Sequence, residues 1–280
     1  MIDKSLKTGN FSALEEGDPD PALIFSGRGG FVAPGFTSDN DSVSGALSTG
    51  PISFYVRGSI ETGDSGRDTI SEFGRSDILV LDQALFDRNE DGIITFGRKG
   101  LNLDGPGFVD SDTITFIDGP RGATGLRVLG DDGLGHYAYA DARTRPLDAI
   151  EGKLLVGDSL TGTTGQSDKF FYDNALDVNW GNDTIQNFGT NDYLVTTTKM
   201  FDLNNDGRIK FGQDRNLDLT GFANEDPGQS SAYGSIAFTN EKGKAITSLY
   251  LVDETVHEGV TYYAYASIKA APPLTYDWLG

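Results

Sequence analysis

Apolar residues recur at every second position in short runs along this chain. Ile94/Phe96, Ile114/Phe116 and Tyr137/Tyr139 alternate with smaller or polar neighbours, as do Ile209/Phe211, Ile236/Phe238 and Tyr263/Tyr265. A period of two buries one face of a strand. Helical periods are scarce, with single turns expected only over 82–86 and 198–201. The pattern therefore predicts an all-β protein of short strands joined by long polar connections.

The strands fall into two sets. Residues 66–97 read GRDTISEFGRSDILVLDQALFDRNEDGIITFG, and residues 181–212 read GNDTIQNFGTNDYLVTTTKMFDLNNDGRIKFG. The two stretches align without a gap at an offset of 115 residues. Later anchors extend the match. Leu101–Asp104 corresponds to Leu217–Thr220, Asp112–Phe116 to Gly234–Phe238, and Tyr137–Ala140 to Tyr263–Ala266. Two homologous β modules are expected, over 51–149 and 150–270. An irregular N-terminal arm (1–50) precedes them and a short tail (271–280) follows.

Each long match ends in D-x-N-x-D-G. Asp87, Asn89 and Asp91 alternate in the first copy, and Asp202, Asn204 and Asp206 in the second. Calcium takes six to eight oxygens at flexible geometry, which short acidic side chains at alternating positions supply. The glycine after each triplet makes the sharp turn. The carbonyl of Ile93 or Arg208 adds a further donor, and Ile94 or Ile209 pins the loop to a strand pairing. Over nine residues the run resembles the EF-hand calcium loop. It departs where that loop places its bidentate glutamate, since Arg98 and Gln213 stand there, and no exiting helix follows. Asp104 and Asp218 are the candidates to complete the shell. Calcium is the one cofactor expected.

Composition agrees with a cation ligand. The chain holds 42 Asp and Glu against 22 Lys and Arg, a net charge of −20. That balance disfavours nucleic acid and anionic lipid, which need basic surface. It links metal binding to folding through relief of self-repulsion. The absence of cysteine excludes disulfides and zinc–thiolate sites. No apolar run reaches membrane-spanning length, and the first 20 residues lack the apolar stretch of a signal peptide.

A second resemblance lies in 157–195. Gly181–Ile185 fits a half-turn of the RTX calcium-binding β-roll. Phe170–Leu176 and the following D-T-I-x-x-F fit the flank of that roll. The tandem glycine nonapeptides are missing, so no long roll is expected. The resemblance implies a protein secreted by a Gram-negative bacterium through the type I route. It also implies Asp68 and Asp183 as further calcium ligands. Asp77 and Asp192, shared as well, read as turn aspartates.

Three functions remain open from sequence. The first is a secreted structural or adhesive protein, with copies of itself as partner. The second is a calcium-dependent carbohydrate module that offers the Tyr strands to surface glycans. The third is an esterase. KLLVGDSLTG resembles the first block of the GDSL/SGNH esterases, with Ser159 as nucleophile. Asn191 would donate to the oxyanion, and Asp253 and His257 would complete a triad. The D-x-x-x-H spacing and the missing helices depart from that family.

Overall fold

The computed structural model describes residues 31–33, 40–45, 51–56, 66–97, 100–104, 112–117, 123–202, 204–219 and 233–274. It is all-β: strands make up 45% of the described residues, and none of these residues lies in a helix of seven or more. The first half contains β1 (Phe31–Ala33), β2 (Ser42–Ser44), β3 (Ile52–Val56), β4 (Arg67–Ser71) and β5 (Ile78–Leu81). It continues with β6 (Ile93–Thr95), β7 (Leu101–Asn102), β8 (Thr113–Ile117), β9 (Gly125–Asp131) and β10 (Tyr137–Asp141). The second half contains β11 (Ile150–Glu151), β12 (Ser159–Thr161), β13 (Lys169–Tyr172), β14 (Asn182–Gln186), β15 (Tyr193–Thr196) and β16 (Arg208–Lys210). After these come β17 (Leu217–Asp218), β18 (Ser235–Thr239), β19 (Ala245–Ile246), β20 (Ser248–His257) and β21 (Val260–Ala266).

Each half builds two facing sheets. Sheet A runs β1-β3-β5-β10-β9-β6 and sheet B runs β2-β4-β8-β7. Sheet C runs β11-β13-β15-β21-β20-β16, and sheet D runs β12-β14-β18-β17 with β19 beside β18. Apart from β19, the second half repeats the strand order of the first. The early strands are parallel and alternate between the sheets: β11 in C, β12 in D, β13 in C, β14 in D, β15 in C. The chain therefore coils as a short roll, and a later antiparallel hairpin closes each half.

Two expectations change here. Part of the 1–50 segment is not irregular: β1 pairs parallel with β3, and β2 with β4, as β11 and β12 do in the second half. Strands this short carry too few residues to show a period. The helical turns expected at 82–86 and 198–201 are bends and irregular chain, and three-residue 3-10 turns fall at Ala142–Thr144 and Asn174–Leu176. The apolar piece at 22–25, Arg98, Thr220 and residues 275–280 lie outside the described residues.

Alternation along each strand sorts side chains to two faces. On sheet A, Phe54, Leu79, Leu81 and Tyr139 face Ile70, Ile114 and Phe116 of sheet B. Tyr55, Ile78, Val80, Ala138 and Ala140 point the other way. They join one apolar cluster with Leu154, Phe170, Tyr172, Trp180 and Leu194 of the second half. Sheet A is thus covered on both faces, and the two halves share a core. Between them Arg127 of β9 is fully buried. It pairs with Glu151 and Asp173 of the second half and lies 5.3 Å from the centroid of the Phe171 ring. Leu154 N–H also donates to Leu129 C=O across the same join, at 2.8 Å.

The tyrosine strands belong to this packing. Tyr139 and Tyr265 are buried, and their hydroxyls accept the N–H of Leu85 and Met200, each at 2.7 Å. Tyr137 and Tyr263 are half-buried against the cores. These four rings do not form an open aromatic platform of the kind a sugar stacks on. Among the described residues, no helix is long and apolar enough to cross a membrane.

Candidate metal centre

The two Asp loops adopt one backbone shape. Position 4 is left-handed in both (Glu90, φ 57°; Asn205, φ 52°), and so is the glycine at position 6 (Gly92 and Gly207, φ 78°). Glycine takes that conformation without a Cβ penalty. Asp87 Oδ2 accepts the Gly92 N–H and Asp202 Oδ2 the Gly207 N–H, both at 2.7 Å. Asp91 Oδ1 accepts the Ile93 N–H and Asp206 Oδ1 the Arg208 N–H, both at 2.8 Å. That backbone donor is the main cause of the lowered pKa of the Asp206 carboxyl. Asn89 and Asn204 each turn their amide NH₂ toward the second aspartate, at 2.7 and 3.0 Å.

Each loop leads straight into a strand. Ile94 and Ile209 are buried opposite Leu126 and Leu249. The apolar residue at position 8 thus fixes the loop to the core, as the pattern predicts.

The copies differ at the first aspartate. Asp87 Oδ1 accepts N–H groups from Asn89 and Glu90, at 3.2 and 3.0 Å. Asp202 Oδ1 is buried and has no hydrogen-bond partner among the described residues. A buried carboxylate oxygen without a donor is costly unless a proton or a cation meets it. Chemically, each loop offers two carboxylates, one amide oxygen after rotation of the Asn side chain, and the carbonyl of Ile93 or Arg208. These are hard oxygen donors of the kind calcium takes. Among the described residues, no group of three or more His, Cys, Asp or Glu is placed to hold a metal. Asp104 Oδ2 accepts the Asp112 N–H at 3.1 Å, and Asp218 lies on β17 opposite Ser235.

Asp68 and Asp183 occupy equivalent places at the starts of β4 and β14, and both are buried. Each caps the neighbouring parallel strand: Asp68 Oδ1 accepts the Asp41 N–H at 2.9 Å, and Asp183 Oδ1 the Asp158 N–H at 2.8 Å. Asp183 Oδ2 also accepts the Tyr172 hydroxyl at 2.6 Å. The register places Val56 where Tyr172 stands, and Asp68 Oδ2 has no partner among the described residues. Burial, reinforced by nearby Asp41 and Asp112, pushes the Asp68 carboxyl up to about 6. Burial likewise raises Asp183 to about 6, against the lowering by its hydrogen bonds.

Asp77 and Asp192 are turn aspartates, as read from sequence. Asp77 binds the N–H of Gly74 and of Ile52, and Asp192 binds those of Gly189 and Asp168. Sequence reasoning missed Arg127, Glu151 and Asp173, since nothing local marks charges that meet across 24 and 46 residues.

The esterase candidates are divided between the two sheets of the second half and a turn, with Asp253 and His257 on β20. Ser159 lies on the edge strand β12 of sheet D, where its hydroxyl accepts from Gln186 at 3.2 Å. His257 ends β20 in sheet C, paired with Val260. Asn191 donates to Gln166 C=O at 2.6 Å. A turn and β13 follow Ser159 instead of a helix.

No family model matches the chain, and neither does any curated protein or solved structure.

Proposed function

We propose that this chain is a secreted, calcium-stapled roll with a structural or adhesive role at a bacterial surface or matrix. The observation that carries the calcium reading is the paired Asp loops. They share their sequence pattern, offset, left-handed positions and three hydrogen bonds, and enter equivalent strands; in the second, Asp202 Oδ1 is buried without a donor among the described residues. Two copies of one shape argue against a chance Asp-rich turn. Calcium closes each loop and thereby fixes β6 against β9 and β16 against β20. Low calcium before export leaves the acidic chain self-repelling, and external calcium drives it to fold. The type I route rests on the RTX resemblance of 157–195.

The test is thermal unfolding of EGTA-stripped protein titrated with calcium, with terbium luminescence as a binding readout. A ligand that binds only the folded state stabilises it by about 2.7 kcal/mol at a hundred times its Kd. A rise of several degrees with calcium is expected, and Asp202→Ala with Asp87→Ala should abolish it. An unfolding temperature indifferent to calcium would leave both loops as ordinary turns.

A further inference from the structure

The same turn follows the closing hairpin of each half. Arg145 N–H donates to Ala142 C=O at 3.2 Å after β10, and Ala271 N–H donates to Ile268 C=O at 3.3 Å after β21. At the offset that matches Tyr137–Ala140 to Tyr263–Ala266, Arg145 and Ala271 are equivalent, and a proline follows each. The duplication thus supplies its own comparison: an arginine stands in the first half where the second has only a methyl group.

That arginine reaches the first Asp loop. Its Nη1 lies 3.5 Å from the Asp91 carbonyl oxygen and 3.8 Å from the place a Cβ on Gly92 would take. Around the matching point on Gly207 nothing comes within 4 Å among the described residues. Nη2 of the same guanidinium donates to Ala149 C=O at 2.9 Å, and Nε lies 3.8 Å from Glu151 Oε2. Glu151 in turn pairs with Arg127, buried at the join. One side chain therefore spans from the first loop to the link and the join. The cations near the second loop, Arg208 and Lys210, come from its own strand β16, and Arg208 donates to Ser248 within the same half.

We propose that Arg145 regulates calcium at the first loop and couples its occupancy to the join between the halves, while the second loop binds independently. The inference rests on the calcium reading above and names the regulation of that site. A guanidinium beside the loop repels an incoming divalent cation. Calcium held by Asp87, Asn89 and Asp91 displaces Nη1 from the Asp91 carbonyl and drives the side chain toward Glu151, which tightens the link. Such coupling is reciprocal, so a chain whose halves are drawn together binds calcium more tightly at this loop.

Titration calorimetry with calcium on full-length protein, with each loop silenced in turn, decides it. Asp202→Ala leaves only the first loop. Adding Arg145→Gln there should tighten calcium binding about fivefold at low salt, the order expected when one nearby like charge is removed. The gain should vanish in ~1 M salt, where charges are screened within about 3 Å. Arg145→Lys restores the charge and should restore the parent's affinity. In Asp87→Ala protein, Arg145→Gln should leave the second loop unchanged. Hydrogen exchange over 145–151 should slow with calcium in Asp202→Ala protein and not in Asp87→Ala protein. The proposal fails if Arg145→Gln leaves first-loop affinity unchanged, or if the two single-loop variants respond alike in exchange. Should Arg145→Gln not fold, the exchange comparison still decides. A parent that binds no calcium would sink the calcium reading and this inference together. A first loop that binds calcium regardless of Arg145 would sink this inference alone.

Discussion

Asp68 is a buried carboxyl with only one of its oxygens satisfied among the described residues. One oxygen caps β2 and the other meets nothing, in a place where Asp183 receives a tyrosine hydroxyl. Its folded pKa of about 6 lies above the ordinary carboxylate value. Protonation therefore favours the folded state. That contribution is complete below about pH 4, the unfolded value, and is lost as pH rises through 6. Asp68→Asn keeps the acceptor for Asp41 and removes the charge. The variant should unfold at a higher temperature than the parent at pH 7.5, and the difference should vanish near pH 4. Calorimetry at the two pH values checks this, and an equal shift at both would contradict the burial argument. None of this was legible in sequence. The D-T-I motif marks the position, but the donor in the second half lies on another strand, and in the first half a valine replaces it.

Among elements, the parallel pairs are fastened by aspartates. Asp192 holds the N–H that opens β13 and the N–H of its own turn, and Asp77 does the same for β3. Asp192→Ala orphans two amides at the end of a buried strand. Leaving a buried donor unsatisfied costs about 1–3 kcal/mol each, so urea unfolding should show a loss of about 2–6 kcal/mol. A loss below 1 kcal/mol would mean that water replaces the carboxylate. Strands β4–β6 and β14–β16 were readable because alternation and repetition coincide there. The Asp loops were readable because their candidate donors are neighbours in sequence. Strands β1 and β2 were not, since two- or three-residue edges are defined only by the neighbours they join. The tyrosine strands were correctly placed, but their hydroxyls serve backbone N–H groups that no period reveals.

The whole molecule is held at the Arg127 join. Replacing the arginine with methionine keeps much of the packing volume and strands Glu151 and Asp173 in the core. Breaking a buried pair from one side typically costs about 3–5 kcal/mol. Arg127→Met should lower stability by that order and split a single unfolding transition into two, one for each half. A single transition of unchanged midpoint would show that the shared apolar cluster alone couples the halves.

The sharing of that cluster has a consequence for how such a chain can be taken apart. The second half does not seal its own core, because the outer face of sheet A closes one end of it. A cut in the short link between Arg145 and Ala149 would thus produce two fragments of one protein, each the other's missing wall. The link acts as a tether that keeps their effective concentration high. Separated, the fragments would each expose apolar surface that only the other covers, so they should find each other again when mixed.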